Sequence, residues 1–404
     1  MKYLVILGDG MADYPLAALG DKTPLAVAQK PNIDRLCREG ELGLVRTVPD
    51  GMKPGSDVAN LSVMGYAPDK FYTGRSPLEA LSIGIDLAAD DVAVRCNLVT
   101  LSDEAEYADK TMVDYSAGEI GTDEARVLIE YLQTKLGESD LRFYTGVSYR
   151  HCTVLSHAQT GTEYTPPHDI SDRVIGAYLP KGRYGDRICA LMRRSYELLR
   201  EHPVNLARIA QGKRPANSIW LWGEGTRPAL EDFRTKFGLR GAVISAVDLL
   251  KGIGKGARMR VIEVPNATGT YHTDFAAKAR FAADALEQDC DYVYLHMEAA
   301  DECGHQGDVE HKVLSIERID SRVVGYLRDR LDEIGEPYRI LLMPDHPTPC
   351  ALKTHVSDPV PYILYRSDGK NASGAERYDE AHARASGIYY ADCMQLIDKF
   401  IRED

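Results

Sequence analysis

Asp301 and His305 have the side chains and the spacing expected of a metal-binding pair. They lie in AADECGHQGD, directly after the apolar run DYVYLHM and at a point where a helix can begin. At positions i and i+4 of a helix, both side chains project from the same face. A carboxylate and an imidazole held together in this way can ligate a divalent transition metal, although a surface Asp/His pair without a metal is the alternative.

Four further aspartate and histidine residues occur at or near the ends of apolar runs that predict buried strands. Asp9 ends YLVILGD, Asp345 and His346 end YRILLMPDH, and His355 follows in KTHVSDPVPY. The carboxyl ends of parallel strands are where α/β proteins build their functional sites. Taken singly, Asp9 is also consistent with a turn cap, and the proline-flanked histidines with surface loops.

Ser56 lies at a predicted helix start, in KPGSDVAN followed by LSVMG. Proline and glycine favour a turn before the serine, and the N–H groups and dipole of a helix N-terminus favour an attached phosphate. The commoner use of a serine at such a place is a plain N-cap. To act as a nucleophile, the serine needs a base or a metal that lowers the pKa of its hydroxyl group.

Together, these residues have the composition of a two-metal centre for phosphoryl transfer. One metal would be bound by Asp9, Ser56, Asp345 and His346, and the second by Asp301, His305 and His355. Two metals a few ångström apart can deprotonate a serine and neutralise the charge of an in-line displacement. Oxygen and nitrogen ligands without cysteine favour Mn²⁺ or Zn²⁺ over Mg²⁺.

Strand and helix patterns alternate along most of the chain, which predicts an α/β fold. Residues 3–9, 260–266, 291–297 and 338–345 are apolar runs typical of strands covered on both faces, and residues 309–335 have the periodicity of one helix. We therefore expect a doubly wound, mostly parallel sheet.

The middle of the chain has a different pattern, with shorter strands and interleaved aromatic and polar residues. It predicts a smaller inserted α+β domain at residues 90–185, which would bind substrate and act as a lid. The expected joints are the turn-rich segments IDLAADD and YLPKGRYGD. Residues 1–89 and 186–404 would form one discontinuous metal-binding domain.

Composition excludes several classes of protein. The chain has 404 residues and a net charge of −13, which disfavours nucleic-acid binding because phosphate backbones require clustered cations. No stretch is apolar enough for a membrane span, and MKYLVILGDG is expected to be a first strand and not a signal peptide. Eight scattered cysteines without a CxxC pair favour the reducing cytoplasm. The sequence does not indicate an oligomeric state.

The sequence resembles the archaeal-type cofactor-independent phosphoglycerate mutases, which are members of the alkaline phosphatase superfamily. The motifs that carry the resemblance span nearly the whole chain in the family's order: LGDGMADYP, KPGSDVANLSVMGY, YTGRSPLEALSIGI, DYSAGEI, GVSYRH, DECGHQGD, MPDHPTP and KTHVSDPVPY. The resemblance implies an alkaline-phosphatase-like domain with two divalent metals and an inserted domain. It also implies that Ser56 accepts a phosphoryl group and returns it to a neighbouring hydroxyl of the same small anionic substrate. That reaction interconverts 2-phosphoglycerate and 3-phosphoglycerate in glycolysis and gluconeogenesis, without 2,3-bisphosphoglycerate as a cofactor.

The resemblance also implies a set of substrate-binding residues. These are Arg75, Arg150, His151, Asn60 and Lys213, with Arg214 as a further candidate. Arginine is favoured at such sites because its guanidinium group binds phosphate and carboxylate through two hydrogen bonds. An exposed cation that binds nothing is the alternative for each of these arginine and lysine side chains.

Three residues depart from the family pattern. Asn60 stands where a histidine is usual, Glu298 where a lysine is frequent, and Glu119 where a histidine often follows DYSAG. Each change removes a potential positive charge near the predicted site. A less cationic pocket suits another acceptor, and one subgroup that resembles this sequence has been proposed to phosphorylate homoserine.

Four functions are therefore compared. The first is the mutase reaction, the second a phosphotransferase acting on homoserine, the third a phosphomonoesterase and the fourth a non-catalytic binding protein. The complete set of seven candidate ligands, one of which is the serine, argues against the fourth. An inserted lid argues against simple hydrolysis, because a closed lid excludes water.

Overall fold

The structure is a computed structural model that describes residues 1–402. The strands, in chain order, are β1 (Lys2–Gly8), β2 (Glu41–Val45), β3 (Val92–Leu101), β4 (Met112–Asp114), β5 (Leu141–Val147), β6 (Arg150–Leu155), β7 (Thr162–Glu163), β8 (Lys181–Gly182), β9 (Ser218–Thr226), β10 (Gly241–Ile244), β11 (Arg260–Val261), β12 (Tyr292–Met297), β13 (Tyr338–Met343), β14 (Val360–Arg366) and β15 (Tyr389–Tyr390). The α-helices are α1 (Pro24–Val27), α2 (Pro31–Glu39), α3 (Ser56–Val63), α4 (Pro68–Phe71), α5 (Arg75–Ser82), α6 (Thr122–Leu136), α7 (Gly185–Leu199), α8 (Pro203–Ala210), α9 (Phe233–Phe237), α10 (Asp248–Gly256), α11 (Phe275–Gln288), α12 (Ala299–Gln306), α13 (Val309–Arg318), α14 (Gly325–Ile334), α15 (Glu380–Ala385) and α16 (Cys393–Arg402).

The chain divides into two compact units. The first unit comprises Met1–Tyr72 and the residues from Ala229 onward, and the second unit is Thr73–Pro228. The first unit contains an eight-stranded sheet in the order β11-β10-β12-β1-β13-β14-β2-β15. In this sheet β1 pairs in parallel with both β12 and β13, whereas β14 runs antiparallel to both of its neighbours. The predicted α/β fold with a mostly parallel sheet is therefore confirmed.

The central strands are buried along their whole length because apolar side chains cover both faces of the sheet. Every residue of β1, β12 and β13 is buried. On one face, Leu4 and Ile6 pack in a cluster with Ala282 of α11. On the other face, the ring of Tyr3 lies 5.6 Å from that of Phe400 in α16. This double coverage explains why these strands appear in the sequence as continuous apolar runs rather than alternating ones.

Two predicted elements of the first unit differ in detail from the structure. The helix expected at 309–335 is interrupted by a π-helical segment, Ile319–Val324, between α13 and α14. This segment carries the buried Asp320, whose carboxylate accepts a 2.7 Å hydrogen bond from the N–H of Ile33 near the start of α2. The strand expected at 260–266 is only the two-residue β11.

The second unit is built on antiparallel strands, as expected for an α+β domain. Strands β4, β3, β6 and β5 are hydrogen-bonded in that order, and β9 also pairs with β3. Helix α6 packs against β5 and α7 against β9. A separate two-stranded sheet consists of β7 and β8.

The second unit extends beyond the predicted boundaries of 90–185 at both ends. The reason is strand pairing, because β9 pairs with β3 from Val92 to Val99 although it lies far along the chain. Helix α5 packs against both of these strands. Of the two turn-rich segments that were expected to be joints, IDLAADD is a loop inside the unit, whereas YLPKGRYGD contains β8 and the start of α7. None of the helices within residues 1–402 is both long and apolar enough to span a lipid bilayer.

We expect a fragment of residues 73–228 to fold cooperatively by itself, whereas a fragment of residues 90–185 should not. The shorter fragment lacks β9 and most of α7, and with them Ile188, Ile219 and Trp220, which are fully buried. Burying each such side chain contributes about 1.5–3 kcal/mol, so their loss is comparable with the ~5–15 kcal/mol stability of a whole domain. Circular dichroism with thermal melting would measure both fragments. If the fragment of residues 90–185 unfolded cooperatively and the fragment of residues 73–228 did not, the boundaries at 73 and 228 would be wrong.

Candidate metal centre

The parallel register of β1 with its neighbours brings three aspartates to one edge of the sheet. Asp9 directly follows β1, Asp301 lies in α12 shortly after β12, and Asp345 follows β13. Strand β1 is hydrogen-bonded between β12 and β13, so the carboxyl ends of all three strands meet. Parallel sheets place functional residues at this edge.

The first predicted set of ligands is brought together. The ligand atoms of Asp9, Asp345 and His346 all lie within 4.8 Å of one another, and all three side chains are buried. His346 Nε2 lies 3.3 Å from Asp345 Oδ2 and 3.7 Å from Asp9 Oδ1. Ser56, the first residue of α3, joins this set because its Oγ lies 3.1 Å from His346 Nε2.

The second predicted set is also assembled, and it adjoins the first. His305 Nε2 lies 3.4 Å from Asp301 Oδ2, and His355 Nε2 lies 3.5 Å from Asp301 Oδ1. The two histidines approach each other to 2.8 Å between their Nε2 atoms. His346 belongs to a compact group with Asp301 and His355 as well as to the first set. The seven residues therefore form one continuous cluster within the first unit.

Thr348 links the two sets and determines which nitrogen of His346 is available. Its hydroxyl donates a hydrogen bond to Asp301 Oδ1, and its oxygen lies 3.2 Å from His346 Nδ1. Because the hydroxyl proton is used on Asp301, His346 Nδ1–H is the donor in the second contact. This leaves the lone pair of Nε2 directed at the carboxylates. Sequence analysis did not assign a role to Thr348, although it lies within the MPDHPTP motif.

Asn60 supports Asp345 through its side-chain amide. Its Nδ2 donates to Asp345 Oδ2 at 2.8 Å and to the carbonyl oxygen of Ser56 at 2.8 Å. Its Oδ1 accepts a 2.5 Å hydrogen bond from the hydroxyl of Tyr294. Asn60 was expected to contact the substrate, but both polar atoms of its buried side chain already have protein partners.

Lys312 ties together the loops that follow β1 and β13. Its fully buried ammonium group donates to the carbonyl oxygens of Ala12 and Thr348, at 3.3 Å and 2.9 Å, and to Asp13 Oδ2 at 2.7 Å. The same carboxylate oxygen accepts a hydrogen bond from the N–H of Cys350 at 3.1 Å. The two loops that carry Asp9 and Asp345 are thus fixed to each other by a buried charge pair.

The cluster is strongly acidic for a buried site. Burial raises the pKa of Asp9 well above its ordinary value, and the nearby carboxylates of Asp345 and Asp301 raise it further. Burial acts in the same direction on Asp301, but hydrogen bonds from His305 and His355 hold the pKa of that carboxyl well below its usual range. Among the described residues, Asp9 Oδ1 has no hydrogen-bond partner.

These observations fit a site for divalent cations. Buried carboxylates that are not neutralised are costly, so an arrangement of this kind requires a cation or proton uptake. Burial lowers the pKa of His346, which keeps its imidazole neutral and able to act as a ligand. Carboxylate oxygens and an unprotonated Nε2 converge on the space beside Asp9, and they are the donor types that transition metals prefer.

Of the three residues that depart from the family pattern, Asn60 contacts a candidate ligand, whereas Glu298 is paired with a lysine and Glu119 lies in the second unit. Glu298 is buried, and its ammonium partner is Lys278, whose Nζ lies 2.9 Å from Glu298 Oε2. Burial would raise the pKa of Glu298, but Lys278 and His296 hold it far below its ordinary value. The negative charge of Glu298 is therefore neutralised by Lys278 inside the protein. Glu298 was expected to make a substrate pocket less cationic, but its carboxylate lies in this buried ion pair. Glu119 is an exposed residue of the second unit with a φ of 49°.

The predicted substrate-binding cations lie in the second unit. Arg75 begins α5, and its Nε donates to Glu79 Oε1 at 2.8 Å. Arg150 begins β6, and its guanidinium group lies 5.4 Å from the ring centre of Tyr149. Burial lowers the pKa of the Arg95 guanidinium group, and the positive charges of Arg75 and Arg150 lower it further. The structure thus groups two of the predicted residues around a third arginine.

The other predicted residues of this unit are in different surroundings. His151 is buried, accepts a 3.0 Å hydrogen bond from the N–H of Gly146 at Nδ1, and has its pKa lowered by burial to about 3. Lys213 is exposed in the turn after α8. Arg214 Nη1 donates to Asp114 Oδ2 at 2.7 Å.

Arg95 is a cationic residue that sequence analysis missed. Its Nε lies 3.0 Å from Glu79 Oε2, and its guanidinium group stacks 4.0 Å from the ring centre of Trp222. Burial lowers its pKa, and so does the proximity of Arg75 and Arg150. The available signal was a charged residue within the buried strand pattern VAVRCNLV, because a charge in such a run is retained only with a partner or a role.

This chain is similar to known proteins over its whole length. A family model described as 2,3-bisphosphoglycerate-independent phosphoglycerate mutase matches residues 37–205. A protein of that name from Methanosarcina barkeri is 48% identical over 100% of this chain and 100% of its own length. A relative from Methanothermobacter thermautotrophicus, named 2,3-bisphosphoglycerate-independent phosphoglycerate mutase 2, is 51% identical over 98% of this chain and 96% of its own length.

Two solved structures extend the similarity to the fold. A protein from Pyrococcus horikoshii is 29% identical, with a TM-score of 0.82 over 99% of this chain and 96% of its own. The cofactor-independent phosphoglycerate mutase from Thermoplasma acidophilum is 26% identical, with a TM-score of 0.67 over 99% of this chain and 100% of its own. Because full-length relatives share about half of their residues with it, this chain belongs to the family of 2,3-bisphosphoglycerate-independent phosphoglycerate mutases.

Proposed function

We propose that this protein interconverts 2-phosphoglycerate and 3-phosphoglycerate by passing the phosphoryl group through Ser56. The observation that carries the proposal is the 3.1 Å contact between Ser56 Oγ and His346 Nε2, beside the carboxylates of Asp9 and Asp345. A serine hydroxyl surrounded by metal-ligand side chains is suited to accept a phosphoryl group. Relatives about half identical over their whole length are named phosphoglycerate mutases.

The reaction has two transfers with the same balance of bonds. In the first, Ser56 Oγ forms a bond to phosphorus while the bond to one substrate oxygen breaks. The hydroxyl proton leaves Ser56, and the released substrate oxygen gains a proton. In the second, the neighbouring hydroxyl of the same glycerate takes the phosphoryl group from Ser56, and the serine regains its proton. No net water or cofactor is consumed.

Seven residues would hold two divalent metals, in the two sets described above. When bound, the metals supply the Lewis acidity that lowers the pKa of the serine hydroxyl and neutralises the phosphoryl oxygens. Mixed carboxylate and imidazole ligation favours Mn²⁺ or Zn²⁺ over Mg²⁺. Thr348 and Asn60 would keep His346 and Asp345 in the orientation that this ligation requires.

The arginines of the second unit would bind the anionic groups of the substrate. Arg75, Arg95 and Arg150 concentrate positive charge in a chain whose net charge is −13. Such a local cluster attracts phosphate and carboxylate against the field of the whole protein. The stacking of Arg95 on Trp222 holds its guanidinium plane in one orientation, which favours recognition of a planar carboxylate.

Replacing Ser56 with alanine should reduce the turnover of 3-phosphoglycerate by at least about a thousandfold, because no other group can carry the phosphoryl. Coupled-enzyme assays would measure the rate, and thermal melting would establish that the variant is folded. Ser62→Ala is the matched control, since Ser62 lies in the same helix and its hydroxyl points back to the carbonyl oxygen of Val58. Wild-type turnover by Ser56→Ala would eliminate the mechanism.

The same assay distinguishes the mutase from the other candidate reactions. Purified protein with 3-phosphoglycerate and no added 2,3-bisphosphoglycerate should produce 2-phosphoglycerate and little inorganic phosphate. Release of phosphate as the main product would identify a phosphomonoesterase. Turnover of homoserine with ATP, without turnover of 3-phosphoglycerate, would identify the phosphotransferase instead.

Removal of metal should abolish activity and lower stability together. The crowded carboxylates of Asp9, Asp301 and Asp345 repel one another when no cation is present. A metal at 100 times its Kd adds about 2.7 kcal/mol, which corresponds to a rise in Tm of roughly 5–10 °C for a domain of this size. Chelation followed by titration with Mn²⁺, Zn²⁺ or Mg²⁺ would measure both effects. Full activity of protein shown by elemental analysis to be free of metal would refute the two-metal centre.

Replacing Arg95 with methionine should raise the KM for 3-phosphoglycerate about 10- to 100-fold, because a charged hydrogen bond contributes ~1.5–3 kcal/mol. Methionine keeps much of the apolar contact with Trp222 while removing the charge. Steady-state kinetics would be compared with those of Arg126→Met, an exposed arginine paired with Asp123 on α6. Equal KM values for the two variants would show that Arg95 does not bind the substrate.

A further inference from the structure

A buried polar network in the first unit adjoins the candidate metal centre at Asp9. It consists of side chains that are at most 4% exposed, namely Ser245, Lys278, His296 and Glu298. Lys278 reaches in from α11, His296 is in β12, Glu298 follows β12, and Ser245 follows β10. These elements are adjacent in the sheet or packed on it. None of the four residues belongs to the predicted ligand sets.

Glu298 is the centre of this network and is held by several donors. Lys278 Nζ donates to Glu298 Oε2 at 2.9 Å and to the carbonyl oxygen of His296 at 3.0 Å. Glu298 Oε1 accepts hydrogen bonds from Ser245 Oγ at 3.0 Å and from the N–H of Ala246 at 2.9 Å. The carboxylate therefore has one orientation, fixed from two sides.

The network ends on a metal-ligand candidate. His296 Nδ1 lies 3.1 Å from Glu298 Oε1, and its Nε2 lies 3.1 Å from Asp9 Oδ2. His296 Nε2 and Asp9 Oδ2 are at ion-pair distance, but no hydrogen bond joins them. His296 Nε2 has no hydrogen-bond partner in the described residues. The imidazole thus stands between two carboxylates, and only one of them is fixed by other groups.

The two oxygens of Asp9 consequently have different surroundings. Oδ2 faces His296, whereas Oδ1 faces His346 at 3.7 Å and has no hydrogen-bond partner among residues 1–402. A buried lysine, glutamate and histidine do not by themselves stabilise a fold, since apolar residues of similar volume often serve as well. A network that ends on one oxygen of a ligand carboxylate indicates a role in orienting that ligand.

We propose that Glu298, held by Lys278, positions His296 so that Asp9 presents Oδ1 alone to the metal. This inference rests on the proposed two-metal centre. Glu298 and His296 are positioning residues, because their side chains are buried and, among residues 1–402, form no hydrogen bond or ion pair with Ser56 or the second ligand set. The one link to that set is through the backbone, where the carbonyl oxygen of Glu298 accepts a 3.0 Å hydrogen bond from the N–H of Asp301. Loss of outer groups that orient a metal ligand typically weakens metal binding about 10- to 100-fold.

The test compares two identical substitutions of buried glutamates. Glu298→Gln removes the charge that holds His296. Glu41→Gln is the matched control, because Glu41 is also buried in the first unit and paired to a lysine, with Lys399 Nζ at 2.7 Å and the hydroxyl of Tyr362 at 2.7 Å. Isothermal titration of Mn²⁺ into the full-length, metal-free proteins would measure the Kd of each site. Thermal melting of the same metal-free samples would separate effects on the fold.

We expect Glu298→Gln to raise one of the two Mn²⁺ dissociation constants about 10- to 100-fold, while Glu41→Gln leaves both constants within twofold of wild type. The Mn²⁺ concentration for half-maximal mutase activity should rise by the same factor, with excess Mn²⁺ restoring the lost activity. A lower Tm of metal-free Glu298→Gln with unchanged metal affinity would show that the network is structural and would overturn the proposal.

A second variant keeps the test decisive if the single substitution does not fold. Lys278→Met combined with Glu298→Gln removes both charges together and so avoids leaving an unpaired buried cation. The double variant should also bind Mn²⁺ more weakly at one site, and unchanged affinity would overturn the proposal. Absence of both Mn²⁺ and Zn²⁺ binding by the unsubstituted protein is a separate outcome, because it would refute the metal centre itself and therefore this inference as well.

Discussion

Mutual repulsion among Asp9, Asp301 and Asp345 is the constraint on which the rest of the first unit depends. The parallel pairing of β1 with β12 and β13 brings these carboxylates to one buried edge. Burial and the neighbouring carboxylates both oppose ionisation of Asp9, and they raise its pKa well above its ordinary value. Such a site persists in a folded protein only when cations neutralise it and neighbouring groups keep the ligands apart in fixed orientations.

The groups around the carboxylates are consistent with this requirement. Asn60 holds Asp345, Thr348 holds Asp301, and Lys312 fixes the loops after β1 and β13 to each other. Each uses a hydrogen bond or a buried charge pair where an apolar side chain would have been sufficient for packing alone. The stability of the unit comes mainly from its apolar core, and these buried polar groups surround the candidate ligands.

Charge is divided unequally between the two units. The first unit collects carboxylates and imidazoles, whereas the second collects arginines around Glu79 and Trp222. For the proposed reaction this division is chemically reasonable, since metals suit the transferring phosphoryl group and arginines suit the anionic groups that stay on the glycerate. The ion pairs of Arg75 and Arg95 with one glutamate also show how a cationic cluster can be kept within an acidic protein.

Several elements were predictable because their physical causes are local. Strands such as residues 291–297 are continuous apolar runs, and such runs identify strands buried on both faces. The prediction of residues 260–266 as a strand was less accurate, because how far a strand extends depends on how much of its neighbour remains to pair with. The limits of the second unit were also missed, since the pairing of β9 with β3 joins segments that are distant in the chain.

The sequence by itself determined the chemistry available to this protein: the seven candidate ligands, including the serine, and the family motifs are all visible in the order of residues. Only the tertiary structure decided how those groups are supported. It showed that the side-chain amide of Asn60 donates hydrogen bonds to Asp345 and Ser56. It also showed that Glu298 forms an ion pair with Lys278, and that Arg95 lies near Arg75 and Arg150. Residue types specify which contacts are possible, but long-range packing chooses among them, and the cost of burying an unpaired charge makes that choice depend on partners far away in the sequence.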